Sequence, residues 1–175
     1  MGVARGGRLG VALAAVAVAA CSGNPPPRGR CPDVRIIAGL DTNGVYRGGA
    51  PAGAAEDLLY TAALQNIDGG CAYSGDGLVL NMTVDLIVDP GPAHSGPSIA
   101  VPWFVAVAGP DGTIIAKQPF TATVEVDESG EPRGSREAIE QRFAGVGPER
   151  GAAYRIFLGL EVDRDEALRR RALLP

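Results

Sequence analysis

The chain has 175 residues, 46% of them hydrophobic and 21% charged, with a formal net charge of -4. That length suits one domain with appendages, the balance excludes a chain disordered throughout, and the acidic sign excludes the basic footprint of a nucleic-acid-binding protein. Aromatic residues make up only 5%, which predicts a core of Val, Leu, Ile and Ala carried by short strands and tight turns.

Residues 1–20, MGVARGGRLGVALAAVAVAA, place Arg5 and Arg8 ahead of an apolar run from Leu9 to Ala20. A membrane-spanning helix needs about 20 apolar residues. This shorter run is therefore read as the h-region of an export signal, with the arginines as its positive n-region. Two glycines separate the arginines, so nothing points to the twin-arginine route. Loss of Arg5 and Arg8 with the leader leaves a net charge of -6.

The run ends in Val18-Ala19-Ala20-Cys21, which resembles the lipobox of bacterial lipoproteins. The resemblance implies that Cys21 becomes the acylated first residue of the mature chain, carrying palmitate-type chains. The competing reading is an ordinary A-x-A signal with Cys21 beside the cut. Each buried methylene contributes about 0.8 kcal/mol, so several acyl chains on one residue hold a protein at a membrane without a spanning helix. By the same resemblance, Ser22 stands where an inner-membrane retention signal has Asp, which implies the periplasmic face of the outer membrane, with the inner membrane as the alternative. Residues 21–30 then form the lipidated cysteine and a tether, since Asn24–Arg30, NPPPRGR, favours extended polyproline II geometry.

With Cys21 assigned to lipid, Cys31 and Cys71 remain as an even pair in an exported chain. An oxidising compartment favours a Cys31–Cys71 disulfide closing a loop of about 40 residues. A metal site or a redox pair would use other spacings: the chain has no C-x-x-C, and His94 is its one histidine.

Along the domain, Val34–Ala38 is a short β-branched run that predicts a first strand. Residues 42–55, TNGVYRGGAPAGAA, are weakly patterned and read as a loop. From Asp57, Leu58, Tyr60, Ala62 and Leu64 alternate toward one side, predicting a strand that ends at the Gly69-Gly70 turn signal. The clearest strand is 78–89, with Leu78, Leu80, Met82, Val84, Leu86 and Val88 on one face and Asn81, Thr83 and Asp85 on the other. A Pro/Gly-rich loop, 90–97, follows. Residues 99–108, IAVPWFVAVA, are apolar on both faces, as in a central strand covered on each side. The GPDG turn at 109–112 predicts a hairpin into 113–127, with Phe120, Ala122, Val124 and Val126 on its inner face. Residues 135–146 fit a helix through Ala138, Ile139, Arg142 and Phe143 or an irregular edge strand, and the surrounding strands favour the strand. Tyr154, Ile156, Leu158, Leu160 and Val162 alternate once more, and Asp163-Arg-Asp-Glu166 resembles a capping box opening a short helix.

Six or seven strands without intervening helices predict an all-β fold, an antiparallel immunoglobulin-like or fibronectin-III-like β-sandwich with a short C-terminal helix. An eight-stranded closed barrel is the alternative. The organisation expected is a leader at 1–20, the tether at 21–30, the sandwich at 31–163, and the helix and tail at 164–175.

No catalytic constellation stands out. His94 adjoins Ser95, but neighbouring side chains on an extended loop diverge and there is no G-x-S-x-G elbow. Asp85 and Asp89 share a strand face about 13 Å apart, too far for a glycosidase pair. Acidic 127–131 and 163–166 match no calcium loop and read as a turn and a helix cap. Arg169, Arg170 and Arg171 suit a helix C-terminus, with anionic headgroups or a partner as the alternative. Trp103 reads as core rather than as a ligand platform. No catalytic residue, metal or cofactor is therefore expected.

Cys31-Pro32, Cys71-Ala-Tyr73, Trp103–Val107, Ile115-Ala-Lys117 and Phe120 together look like a group of small, uncharacterised lipoproteins of alphaproteobacteria. That resemblance implies the fold and the cellular address, with no activity attached. The expected function is a lipid-anchored binding or assembly module of the cell envelope, contacting the membrane through its anchor and an envelope protein as partner. The alternatives are a small envelope hydrolase using acidic residues and a solute-binding lipoprotein.

Overall fold

The structure is a computed structural model that describes residues 29–49, 53–127 and 129–174. The expected leader, Cys21 and most of the expected tether lie outside the described residues. Strands β1 (Asp33–Ile36), β8 (Arg155–Leu160), β5 (Ser98–Ala108) and β6 (Ile114–Glu125) form one sheet in that order. Strands β2 (Thr42–Tyr46), β3 (Leu58–Ser74), β4 (Gly77–Pro90) and β7 (Arg133–Ala144) form the other. Helix α1 (Arg164–Ala172) follows β8. All pairings are antiparallel except β1 on β8.

This is the all-β sandwich with a short C-terminal helix that the sequence predicts. The described residues form eight strands rather than six or seven, yet these make two sheets with free edges, not a closed barrel. Strands β7 and β8 are consecutive in the chain but lie in opposite sheets.

The core follows from alternation. Leu78, Leu80, Met82, Val84, Leu86 and Val88 of β4 are all buried, and they meet Val101, Trp103, Val105 and Val107 of β5 with Ile156, Leu158 and Leu160 of β8. Each such side chain contributes roughly 1.5–3 kcal/mol by leaving water. The outer face of β5 is covered too, but by local side chains rather than by a third layer. Phe104 lies so close over Gly159 that a Cβ there would come within 2.9 Å of its ring. Lys117 Nζ sits 4.1 Å above the same ring and 2.9 Å from a Glu161 carboxylate oxygen.

Two segments differ from expectation. The stretch read as a loop from Thr42 contains β2, which pairs with β3 in the register Thr42↔Ala63 and Val45↔Tyr60. Asn43 and Gly44 have poor intrinsic strand preference, and the strand forms because β3 supplies a ladder. The Gly69-Gly70 pair is not a turn: β3 continues to Ser74, with a bulge between Gln65 and Asp68. Gly69 has φ 152°, and a Cβ there would lie 2.3 Å from the Asn81 carbonyl oxygen, so the glycine permits close backbone approach. The reversal comes instead at Gly75-Asp76, between the paired Ser74 and Gly77. Most of the segment 135–146 belongs to a strand, β7, as favoured, and its register on β4 turns Ile139 and Phe143 inward.

Every sheet edge carries a device that discourages strand addition. Strand β1 has only four residues. Strand β2 is flanked by α1 through Arg170. Strand β6 places Lys117 and Pro119 on its exposed half. On β7, Glu137 pairs with Val84 and so shares the inward face, while Arg136, Glu140 and Arg142 are exposed.

Candidate functional site

The register places the chain's entrance at one end of the sandwich. Asp33 aligns with Arg155, Arg155 with Ala108, and Ala108 with Ile114, one row across the first sheet. Cys31 immediately precedes that row and is bonded to Cys71 of β3 in the second sheet, with Cα atoms 5.7 Å apart. The expected disulfide is thus present in the structure and joins the two sheets at this end. Two residues beyond Cys71, the buried Tyr73 donates its hydroxyl to the Arg30 carbonyl at 2.6 Å. Burial raises the Tyr73 pKa above the ordinary tyrosine value, which keeps the donor protonated. Gly151 leaves room for that hydroxyl, since a Cβ there would fall 1.8 Å from it.

The β4–β5 and β6–β7 connections lie at the other end, whereas the β7–β8 connection, 145–154, lies at the bridged end. From Leu80, paired with Cys71, strand β4 runs ten residues to Pro90, about 34 Å at the usual rise per residue. There the 90–97 loop and the start of the 126–132 loop enclose an open depression of about 660 Å³ lined by Pro90, Pro92, His94, Pro97, Val126 and Asp127. His94 Nε2 lies 3.1 Å from the Gly96 carbonyl and acts as the donor to it, so the ring is turned to its own loop and not to Ser95. Asp127 accepts from the Ser129 amide at 3.0 Å and hydroxyl, and from Arg133. These hydrogen bonds, led by the Ser129 hydroxyl, hold its carboxyl below the usual range. Asp127 and Ser129 therefore serve a turn, the role read for this acidic stretch from the sequence.

Asp85 and Asp89 both face outward on β4, and Asp85 is fully engaged. Arg136 grips it through two nitrogens, 2.7 and 3.1 Å, and Asn66 Nδ2 donates at 3.1 Å. These bonds, Arg136 first, lower its pKa. No shared cleft brings it together with Asp89. Trp103 is 1% exposed and stacks on Phe120 with ring centroids 4.8 Å apart, a core residue as expected. No acceptor among the described residues reaches its indole Nε1.

The three consecutive arginines have three destinations. Asp163 caps α1 by accepting from the Glu166 amide at 2.9 Å, as the capping-box pattern predicts. Arg169 pairs with Glu166 at 2.6 Å and Arg171 is exposed. Arg170 turns inward: Nε binds Glu166 at 2.5 Å, Nη1 donates to the Thr42 carbonyl at 2.6 Å and the Gly39 carbonyl at 3.2 Å, and Nη2 reaches Asn43 Oδ1 at 2.7 Å. This clamp and the Tyr73 bond were not foreseeable from spacing alone, although Tyr73 lies at the same strand parity as Cys71.

Among the described residues no group of three or more His, Cys, Asp or Glu is placed to hold a metal ion, and no helix is long and apolar enough to cross a membrane. No family model matches the chain, and neither a curated protein nor a solved structure does.

Proposed function

We propose that this chain is a lipid-anchored module of the bacterial cell envelope that holds a β-sandwich on a short proline tether and presents its 90–97 and 126–132 loops to an envelope protein. Acylated Cys21 is the anchor, the inner leaflet of the outer membrane is the address, and the Cys31–Cys71 bridge fixes the tether to the domain. The observation that supports this reading is polarity. The chain enters the fold at an end held by the bridge and by Tyr73, and the Pro/Gly-lined depression lies about 34 Å away at the other end.

Binding is favoured over hydrolysis because three of the acidic groups, Asp85 of the candidate pair among them, are occupied in structural bonds. Asp85 is held by Arg136 and Asn66, Asp127 by Ser129 and Arg133, and Glu166 by Arg169 and Arg170. The test is metabolic labelling of the full-length chain in a bacterial host with an alkyne fatty acid, followed by mass spectrometry of the mature amino terminus. The expected result is an acylated Cys21 at position one, with label and membrane association lost in Cys21→Ser. An uncut leader, or an unlabelled protein free of the membrane fraction, overturns the proposal.

A further inference from the structure

The same bridge determines which strand carries load when the tether is pulled. Without it, tension arriving at Arg30 would act on β1, an edge strand joined to the sandwich by four register pairs with β8. Such a strand slips readily, because only a few hydrogen bonds share the load. With the bridge, the covalent path leaves the backbone at Cys31 and enters Cys71. Cys71 belongs to β3, which has thirteen register pairs to β4, Cys71 among them, and five more to β2 at its far end over residues 58–63. Strand β3 runs toward the tethered end, so force on Cys71 is directed along the strand and loads the ladder in shear. The Tyr73 bond to Arg30 adds a second attachment on the same strand.

We propose that the Cys31–Cys71 bridge is a load-transfer device: it diverts tension from the edge strand to the interior strand β3, so that the domain stays folded while held between its tether and a partner at the loop end. The source of that tension rests on the anchored reading above, whereas the load path is a property of the fold alone.

The experiment is single-molecule force spectroscopy on the mature chain, with one handle at its amino terminus and the other at an azide-bearing residue replacing exposed Ser95. Oxidised protein is compared with protein reduced by a dithiol and with Cys31→Ser/Cys71→Ser, and the single Trp103 reports folding in bulk. The oxidised domain should rupture in one cooperative step. Loss of the bridge should lower the first rupture force to about half or less, a quantity governed by the unfolding barrier. It should also introduce an early extension of about 35 Å as residues 31–41 pay out. Equal first rupture with and without the bridge overturns the proposal. So does a reduced chain with no folded signal at all, because the bridge would then hold the fold rather than steer force. An unlipidated Cys21 would defeat the anchoring reading and leave this result standing.

Discussion

Tyr73 Oη and the Arg30 carbonyl oxygen lie 2.6 Å apart although 43 residues separate them in the chain. With the adjacent Cys31–Cys71 bridge, this bond fixes where the amino-terminal segment meets the second sheet. Its donor is the only polar atom of a buried ring, so removing either partner leaves the other unsatisfied.

Tyr73→Phe is expected to cost about 1 kcal/mol of unfolding free energy in urea titration. Gly151→Ala should cost about 2 kcal/mol or more, because its methyl would collide with the Tyr73 hydroxyl. The two should be non-additive, with Gly151→Ala milder in the Tyr73→Phe background, where the clashing oxygen is gone. Equal Gly151→Ala costs in both backgrounds would count against this packing. The raised Tyr73 pKa also predicts a trend with pH. Above the ordinary value of 10.0, the unfolded chain releases a proton that the folded one keeps, so stability falls as pH rises there. Tyr73→Phe should flatten that alkaline limb.

Removing the bridge by Cys31→Ser/Cys71→Ser should lower stability by about 4 kcal/mol in the chain-entropy treatment of a loop this long. The urea dependence should steepen, because an uncrosslinked unfolded chain exposes more surface. A loss below about 1 kcal/mol would show that the unfolded ensemble gains little freedom without the bridge.

Arg170→Ala should free α1 from the β1–β2 corner. The expected signs are loss of helical ellipticity and fast amide exchange across 164–172, with a global cost of about 1–3 kcal/mol from charge-assisted bonds lost to Gly39, Thr42 and Asn43. Acid should act at the same contact. Hydrogen bonds from Arg170, then Arg169, lower the Glu166 pKa, so the unfolded state takes up the proton first. The stabilisation is complete above the ordinary glutamate value and is lost as pH falls through the lower folded value. Glu166→Gln should remove this acid dependence in helix-specific exchange.

Trp103→Phe should cost about 1 kcal/mol, well short of the roughly 3–5 kcal/mol of a Trp→Ala truncation. The substitution forfeits part of the stacking on Phe120 but also removes a buried N–H without a protein acceptor, an unsatisfied donor that is itself unfavourable. Calorimetry of the two variants decides it, and a Phe cost near that of Ala would mean the indole nitrogen is well served.

How much was legible depended on whether a residue's role is local. Strand β4 could be read because six apolar residues at period two admit one partition between core and surface. The helix cap was readable because Asp163 and Glu166 meet through three residues of chain. Strand β2 was not, because Gly44 and Asn43 become a strand only against β3. The Gly69-Gly70 pair misled because a close backbone approach and a turn use the same residue. Of the candidate site, the cysteine pairing followed from chemistry and number, whereas the Tyr73 bond needed the fold. Arg169, Arg170 and Arg171 are identical in kind, and only the phase of α1 against the β1–β2 corner selects Arg170 as the clamp.

The blunted margins of both sheets bear on crowding. With Pro119 on one rim, inward Glu137 on another, a helix beside the third and a four-residue strand as the fourth, each rim hinders a neighbouring copy from extending its ladder. Crowded copies are thereby discouraged from zipping edge to edge into fibres.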